Sequence, residues 1–433
     1  VTETTDAGPL ADLKAKFPNG VWTTRANARL QDALIEGAGL GRLQPAIGWA
    51  ARMQATDAPE PFSSPRMLLF AGEYPDGWAA GDYAPVEEQA EALENGEGPL
   101  AEQALRSGLP ITVVRTPASE GVEGPLLDET ELNEVMRLGR ESADRAIDAG
   151  ADLLLISGIG AGASTAAVAV CSFIVKDDIT VYQPQLHAPG GSVFDSAWMG
   201  RIAALRDHLA FNRGFKRNPE ALVTRLGGAQ LGAMAAAIFT AATRSTAMLI
   251  DGPAAMAAMM IARDFGLAAP KWCYAPNRST HPVVVKLAKQ GGLADDLGFE
   301  LDLPDGLALP LGLDLIQQSL RIAQSLPMPA KEEEPEPEAP APAAVETGAA
   351  ATEPEANAAE PTTAETEPEP EAASTPVAEV QAATTPAVDA TATAEAAPEP
   401  QAESTAPTAD AAEGSADTEA AEARPAEEKP TEA

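Results

Sequence analysis

One unbroken stretch constrains this chain more than any other. Ala151 to Gly158, A-D-L-L-L-I-S-G, runs directly into G-I-G-A-G-A-S-T, Gly158 to Thr165, and then into an apolar Ala/Val segment of helical length. A run this short and this apolar reads as a parallel strand buried on both faces. A glycine loop between strand and helix points backbone N–H groups and a positive helix end at an anion.

The same grammar recurs along the chain. Met67 to Gly72 (M-L-L-F-A-G), Ile111 to Thr116, Thr246 to Gly252 and Lys271 to Asn277 read as further strands. Pro85 to Ser107 is polar with spaced Ala and Leu, a helix candidate for a crossover. Asp128 precedes Glu131 by three residues, so a capped helix is expected from there to about Asp148, ending at Gly150. Arg225 to Ile238 reads as a Gly-Gly turn opening a small-residue helix, and Pro253 opens another. Residues 24 to 54 read as one or two helices broken at Glu36 to Gly41, where three glycines fall in five positions. Strands alternating with helices predict a doubly wound, mostly parallel α/β sheet with ligands at the carboxyl ends of its strands.

Charge divides the chain in two. Of the 65 acidic and 29 basic residues, Lys331 to Ala433 holds 26 and 3, with 15 prolines and no aromatic residue. That segment cannot bury enough apolar surface to offset the entropy of ordering, so 331–433 is expected to be a disordered acidic C-terminal tail. A solubilising spacer is the plain reading of such a tail, and a tethered interaction segment is the other. The net charge of −36 excludes a simple polyanion binder, so neither nucleic acid nor an anionic membrane is an expected partner. With only Cys171 and Cys273, the chain shows no disulfide framework and no metal-ligand spacing, which suits the cytoplasm. His187, His208 and His281 are scattered, so no metal is expected. No targeting segment is evident, and the Ala-rich stretch after Ala229 is interrupted by Arg244 and Asp251 before membrane-spanning length.

The loops narrow the chemistry. Gly160 and Gly162 allow close backbone approach, and Ser164 and Thr165 add hydroxyls at a helix start, which suits a phosphate; tight packing is the competing use of such glycines. No G-K-[ST] follows and the spacing misses the dinucleotide fingerprint, so neither a P-loop nor a dinucleotide cofactor is expected. Gly227 and Gly228 form a second turn of the same kind. Asp251, Arg278 and Ser279 fall just after predicted strands, where polar side chains face either a ligand or a cap. A nucleophile elbow is missing.

In order, these pieces resemble the nicotinate-nucleotide:5,6-dimethylbenzimidazole phosphoribosyltransferase family, over residues 24 to 325. The likeness rests on Ala28 to Leu43, on F-A-G-E at Phe70 to Glu73, and on G-A-D-L-L-L-I-S-G-I-G-A-G-A-S-T. It continues through R-L-G-G-A-Q-L-G-A-M-A, L-I-D-G, N-R-S, and A-L-P-L at Ala308 to Leu311. The resemblance implies a Rossmann-like large domain within 24–330, a small helical subdomain from about 24–55 and 307–326, an N-terminal extension over 1–23, and a homodimer. It implies transfer of the phosphoribosyl group of nicotinate mononucleotide to a benzimidazole-type base, for cobalamin lower-ligand assembly, with no further cofactor. Phosphate anchorage carries over to Gly160, Gly162, Ser164, Thr165, Gly227 and Gly228, and to Arg201 where the family has lysine.

The pattern departs from the family at the base. The family's G-E-G-T-G loop is replaced by G-F-E-L-D-L-P-D-G-L-A-L-P, leaving Asp305 as the nearest carboxylate, with Asp302 and Glu300 as alternatives. A family glutamate and asparagine align with Gly158 and Ala163, the P-P-G-S loop becomes E-G-A-G, and a histidine becomes Asn277. Such changes imply altered substrate choice or lost activity on a retained scaffold.

Overall fold

A computed structural model describes residues 8–33, 39–74, 85–119, 124–186, 192–293, 297–301, 303 and 306–329. All lie within the unit Val1–Pro340. The tail, the first half of Glu36 to Gly41, His187, Asp302 and Asp305 fall outside the described residues.

Helices α1 (Val21–Asp32) and α2 (Leu43–Gln54) precede β1 (Pro65–Ala71), and the crossover to β2 (Ile111–Arg115) is carried by α3 (Val86–Glu94) and α4 (Pro99–Arg106). The single helix expected there is divided, because Gly96 and Gly98 both take positive φ. After β2 come α5 (Glu129–Asp148), β3 (Leu153–Ile159), α6 (Ala163–Val175), α7 (Asp195–Phe211), α8 (Pro219–Leu222) and α9 (Gly228–Thr243). The rest is β4 (Ala247–Ile250), α10 (Gly252–Phe265), β5 (Cys273–Tyr274), α11 (Pro282–Gly291) and α12 (Ala308–Ser325). The expected capping box opens α5: Asp128 accepts from Glu131 N–H and Glu131 from Asp128 N–H.

The five strands are parallel in the order β2-β1-β3-β4-β5. Alternate residues face opposite layers. Leu68, Phe70, Leu154, Ile156, Met248 and Ile250 join the core built with α5, α6, α9 and α10. Met67, Leu69, Leu153, Leu155 and Leu249 join the one built with α2, α4 and α12. With helices over both faces the sheet is doubly wound, and burial on both sides accounts for strands without polar alternation. The first and last helices meet, since α2 packs against both α1 and α12.

The Gly-Gly segment departs from expectation. Instead of a loop opening a helix, Val223–Gly227 is a π-helical turn joining α8 to α9. Its freed carbonyls are taken up individually: Thr224 O accepts from Leu126 and Leu127 N–H, Gly227 O from Tyr74 Oη at 2.7 Å, and Arg225 O meets His208 Nε2 at 2.6 Å. A carbonyl can only accept, so His208 carries its proton on Nε2. The path Pro219–Thr243 therefore spans 25 residues, long and apolar enough to cross a membrane, yet 89% of its apolar window is buried inside the protein. It is a core helix; Arg244 ends it, but only after the π turn has extended it beyond the length read from sequence.

Candidate functional site

The strand order reverses between β1 and β3, and at such a switch point the chain leaves neighbouring strand ends in opposite directions and opens a crevice. From β1 the crevice receives Gly72 and Glu73, and from β3 it receives Ile159 and Gly160. One side chain ties the two strand ends together. Gln230 Nε2 donates to Phe70 O at 2.8 Å and to Ile159 O at 2.7 Å, from a side chain with no exposure. Both amide hydrogens are used, which leaves Oε1 buried without a partner. Glu73 is exposed at the rim and accepts from Val86 N–H at 3.3 Å.

Gly160 is required for packing. Its φ is +119°, and a Cβ there would lie 2.1 Å from Gly72 O and 2.9 Å from Val86 Cγ2. Gly162 is the N-cap of α6, without a side-chain cap, at φ +89°. The first turn of α6 holds Ser164, half-buried, and Thr165, buried. An uncapped helix start beside a strand end can receive an anion.

Gly227 and Gly228 serve differently. A Cβ on Gly228 would meet Ser119 Oγ at 2.5 Å and Tyr74 Cε1 at 2.8 Å, and Ala229 N–H already donates to Ser119 Oγ at 2.9 Å. The second turn is thus packed against residues that follow β1 and β2. Burial holds the Tyr74 hydroxyl well above its ordinary pKa, so it stays a neutral donor to Gly227 O.

Asp251 is held from two elements. It lies 5% exposed at the end of β4, with Oδ2 accepting from Gly306 N–H at 3.2 Å and Oδ1 3.5 Å from Asn277 Nδ2. Desolvation raises its pKa, opposed by the N–H groups of Gly306 and the Asn277 amide. A carboxylate engaged in this way has no cation to offer a phosphate, and its own charge would repel one. Ser279 Oγ accepts from His281 N–H at 3.1 Å just before α11, so it forms a turn, while Arg278 beside it is exposed. Arg201 sits on α7, 4% exposed. Glu300 is exposed between Phe299 and Leu301. Among the described residues, no group of three His, Cys, Asp or Glu side chains could hold a metal ion.

The tie made by Gln230 is the part of this region hardest to read from sequence. It sits in a small-residue helix, and only the matching glycines at Gly72 and Gly158 hint that a side chain must pass between strand ends. A Cβ at Gly72 would lie 2.7 Å from Gln230 Cβ, and one at Gly158 would lie 2.9 Å from Gln230 Nε2.

A phosphoribosyltransferase family model matches residues 15–331, nearly all of the described fold. The chain belongs to this phosphoribosyltransferase family. A nicotinate-nucleotide-dimethylbenzimidazole phosphoribosyltransferase from Streptomyces avermitilis is 28% identical over 335 residues, covering 72% of this chain and 88% of that protein. One of the same name from Mycobacterium ulcerans is 31% identical over 288 residues, covering 61% and 79%. A crystal structure of such an enzyme from Thermus thermophilus superposes with a TM-score of 0.63 at 19% identity, covering 72% of this chain and 97% of that one. At that identity the superposition establishes the shared fold. Within this phosphoribosyltransferase, the start of α6 at Gly162 lies next in the chain after the end of β3, at the switch point of the sheet.

Proposed function

We propose that the chain transfers the 5-phosphoribosyl group of nicotinate mononucleotide to 5,6-dimethylbenzimidazole or a related base, giving α-ribazole phosphate for cobalamin biosynthesis. The observation that carries this reading is the uncapped start of α6 at the switch point, with Gly162 at the N-cap and Ser164 and Thr165 in the first turn. There the 5′-phosphate meets the positive end of the helix. The benzimidazole nitrogen attacks C1′ as the bond from C1′ to the pyridinium nitrogen breaks. Nicotinate leaves with that electron pair, and the proton of the second benzimidazole nitrogen passes to a carboxylate. Asp305 is the proposed base, with Asp302 and Glu300 as alternatives. The protein acts as a homodimer in the cytoplasm; both cysteines are free and buried, in keeping with a reducing compartment.

A second reading is favoured by Gly158, which faces the Gln230 amide and the Met234 methyl group so closely that a larger side chain there would have to displace them. It is a family member that binds nucleotide or base without turnover, or pairs with an active subunit. Incubation with nicotinate mononucleotide and a panel of benzimidazoles, following nicotinate by chromatography, separates the two. Release with one base, reduced ~10²–10⁴-fold by Asp305→Ala, is the expected result for a positioned general base. Absence of release with any base, together with ligand-induced thermal stabilisation, selects the binding protein.

A further inference from the structure

The carboxyl ends of β4 and β5 carry one polar cluster that the reaction scheme leaves unused. Asn277 is 5% exposed, yet it is bonded as if it were a piece of backbone. Its Nδ2 donates to Leu301 O at 3.1 Å and its Oδ1 accepts from Leu301 N–H at 3.2 Å, a two-bond pair with a single residue. Around it, Leu297 N–H donates to Pro276 O at 3.1 Å and Arg278 N–H to Phe299 O at 3.0 Å, with Asn277 and Phe299 in a parallel bridge. The second amide hydrogen of Asn277 faces Asp251 Oδ1 at 3.5 Å, and Asp251 Oδ2 takes Gly306 N–H at 3.2 Å. Ser157 Oγ, on β3, donates to Asp251 O at 2.9 Å. The strand ends are thereby connected, through two buried side chains, to both described ends of the stretch between Phe299 and Gly306.

We infer that Asn277, braced by Asp251, is the positioning residue that clamps the described ends of this stretch, Leu301 and Gly306, to the ends of β4 and β5. The inference rests on the function proposed above, because the stretch contains Glu300, Asp302 and Asp305, the carboxylates offered there as the base. The bonding accounts for the residue type. An amide donates and accepts at once, so it satisfies Leu301 and Asp251 together, whereas an ionised carboxylate only accepts. At Asp251 the reverse holds: two donors converge, and a carboxylate accepts from both. Base and phosphate are held by separate parts of the fold, since phosphate binding is assigned to α6. Loosening the clamp therefore acts on turnover while binding of nicotinate mononucleotide persists.

The test uses the full chain with Asn277→Ala and Asp251→Asn, read by hydrogen exchange of peptides covering 297–308 and by steady-state nicotinate release. Asn277→Ala should speed exchange in that stretch about tenfold, the effect of one or two lost hydrogen bonds. It should lower kcat by a similar factor with KM for nicotinate mononucleotide unchanged. Asp251→Asn keeps the side-chain volume but offers one acceptor for two donors, so an intermediate change is expected even where the alanine variant folds poorly. Unchanged exchange in 297–308 overturns the clamp, whatever the activity. Faster exchange with unaltered kcat overturns the positioning role. Faster exchange in every peptide, alongside a lower kcat, shows a global folding effect and also overturns it. Failure of the wild-type protein to release nicotinate defeats the proposed reaction instead, and exchange alone then decides whether the clamp exists.

Discussion

Replacing Gly160 by alanine tests the switch point directly when compared with the same change at Gly150. Both glycines hold positive φ, +119° and +93° respectively. Each alanine therefore costs about 1–3 kcal/mol of backbone strain. They differ in what the new methyl group meets. Nothing lies within 4 Å of a Cβ at Gly150, whereas at Gly160 the Cβ falls 2.1 Å from Gly72 O, against ordinary contact beginning at 3.4 Å. The shortfall of 1.3 Å (3.4 minus 2.1) must be met by moving the Gly72 peptide. That peptide is pinned by its own N–H bond to Ile159 O at 3.1 Å and has Gln230 against it. Overpacking of this kind adds about 1–3 kcal/mol. Gly160→Ala should thus destabilise by roughly 4 kcal/mol and Gly150→Ala by roughly 2 kcal/mol. Urea midpoints at equal m-values measure the difference. Equal midpoints for the two variants would refute the close contact between the ends of β1 and β3, and with it the geometry assigned to the crevice.

Three further outcomes are expected. Asp128→Ala removes the side-chain acceptor of the α5 capping box while leaving the backbone N–H of residue 128 to Glu131, and should cost about 1 kcal/mol in urea unfolding, a loss that Asp128→Ser largely avoids. The Asp12 carboxylate is held below its ordinary pKa chiefly by its hydrogen bond to Arg140, which ties the N-terminal segment to α5. A depressed acid stabilises above its unfolded value near 3.8 and loses that contribution as pH falls through the lower folded value; melting curves of Asp12→Asn should therefore fall less steeply with pH below 4 than those of wild type. Deleting 331–433 should leave the melting temperature and nicotinate release unchanged, since that segment holds 15 prolines and no aromatic residue with which to build a core; a large drop in either measurement would overturn the compositional argument about the tail.

Much of the scaffold was legible because its causes are local. Phe70 and Leu154 announce strands through unbroken apolar runs, since both faces of a doubly wound sheet are covered. Asp128 and Glu131 mark a helix start through a three-residue reach. The site was less legible. Gly160 and Asp251 looked alike as flexible or polar positions after strands and Gly228 as a turn opening a helix, yet they pack against Gly72, brace Gly306 and close against Ser119 respectively. Glycine promises only that the backbone comes close to something, and a strand-end aspartate only that something donates to it.

Composition and periodicity alone determined the α/β class, the strand positions, the capped α5 and the division between an apolar body and an acidic tail, because each depends on short-range sterics or on the total apolar surface available. The tertiary structure decided the strand order that reverses between β1 and β3, the π turn that joins α8 to α9, and the partners of Gln230, Asn277 and Asp251. These arise from contacts between residues far apart in the chain: Gln230 reaches Phe70 across 160 positions and Asp251 reaches Gly306 across 55. No local pattern encodes such a pairing, because the donors and acceptors concerned become neighbours only after the sheet has assembled.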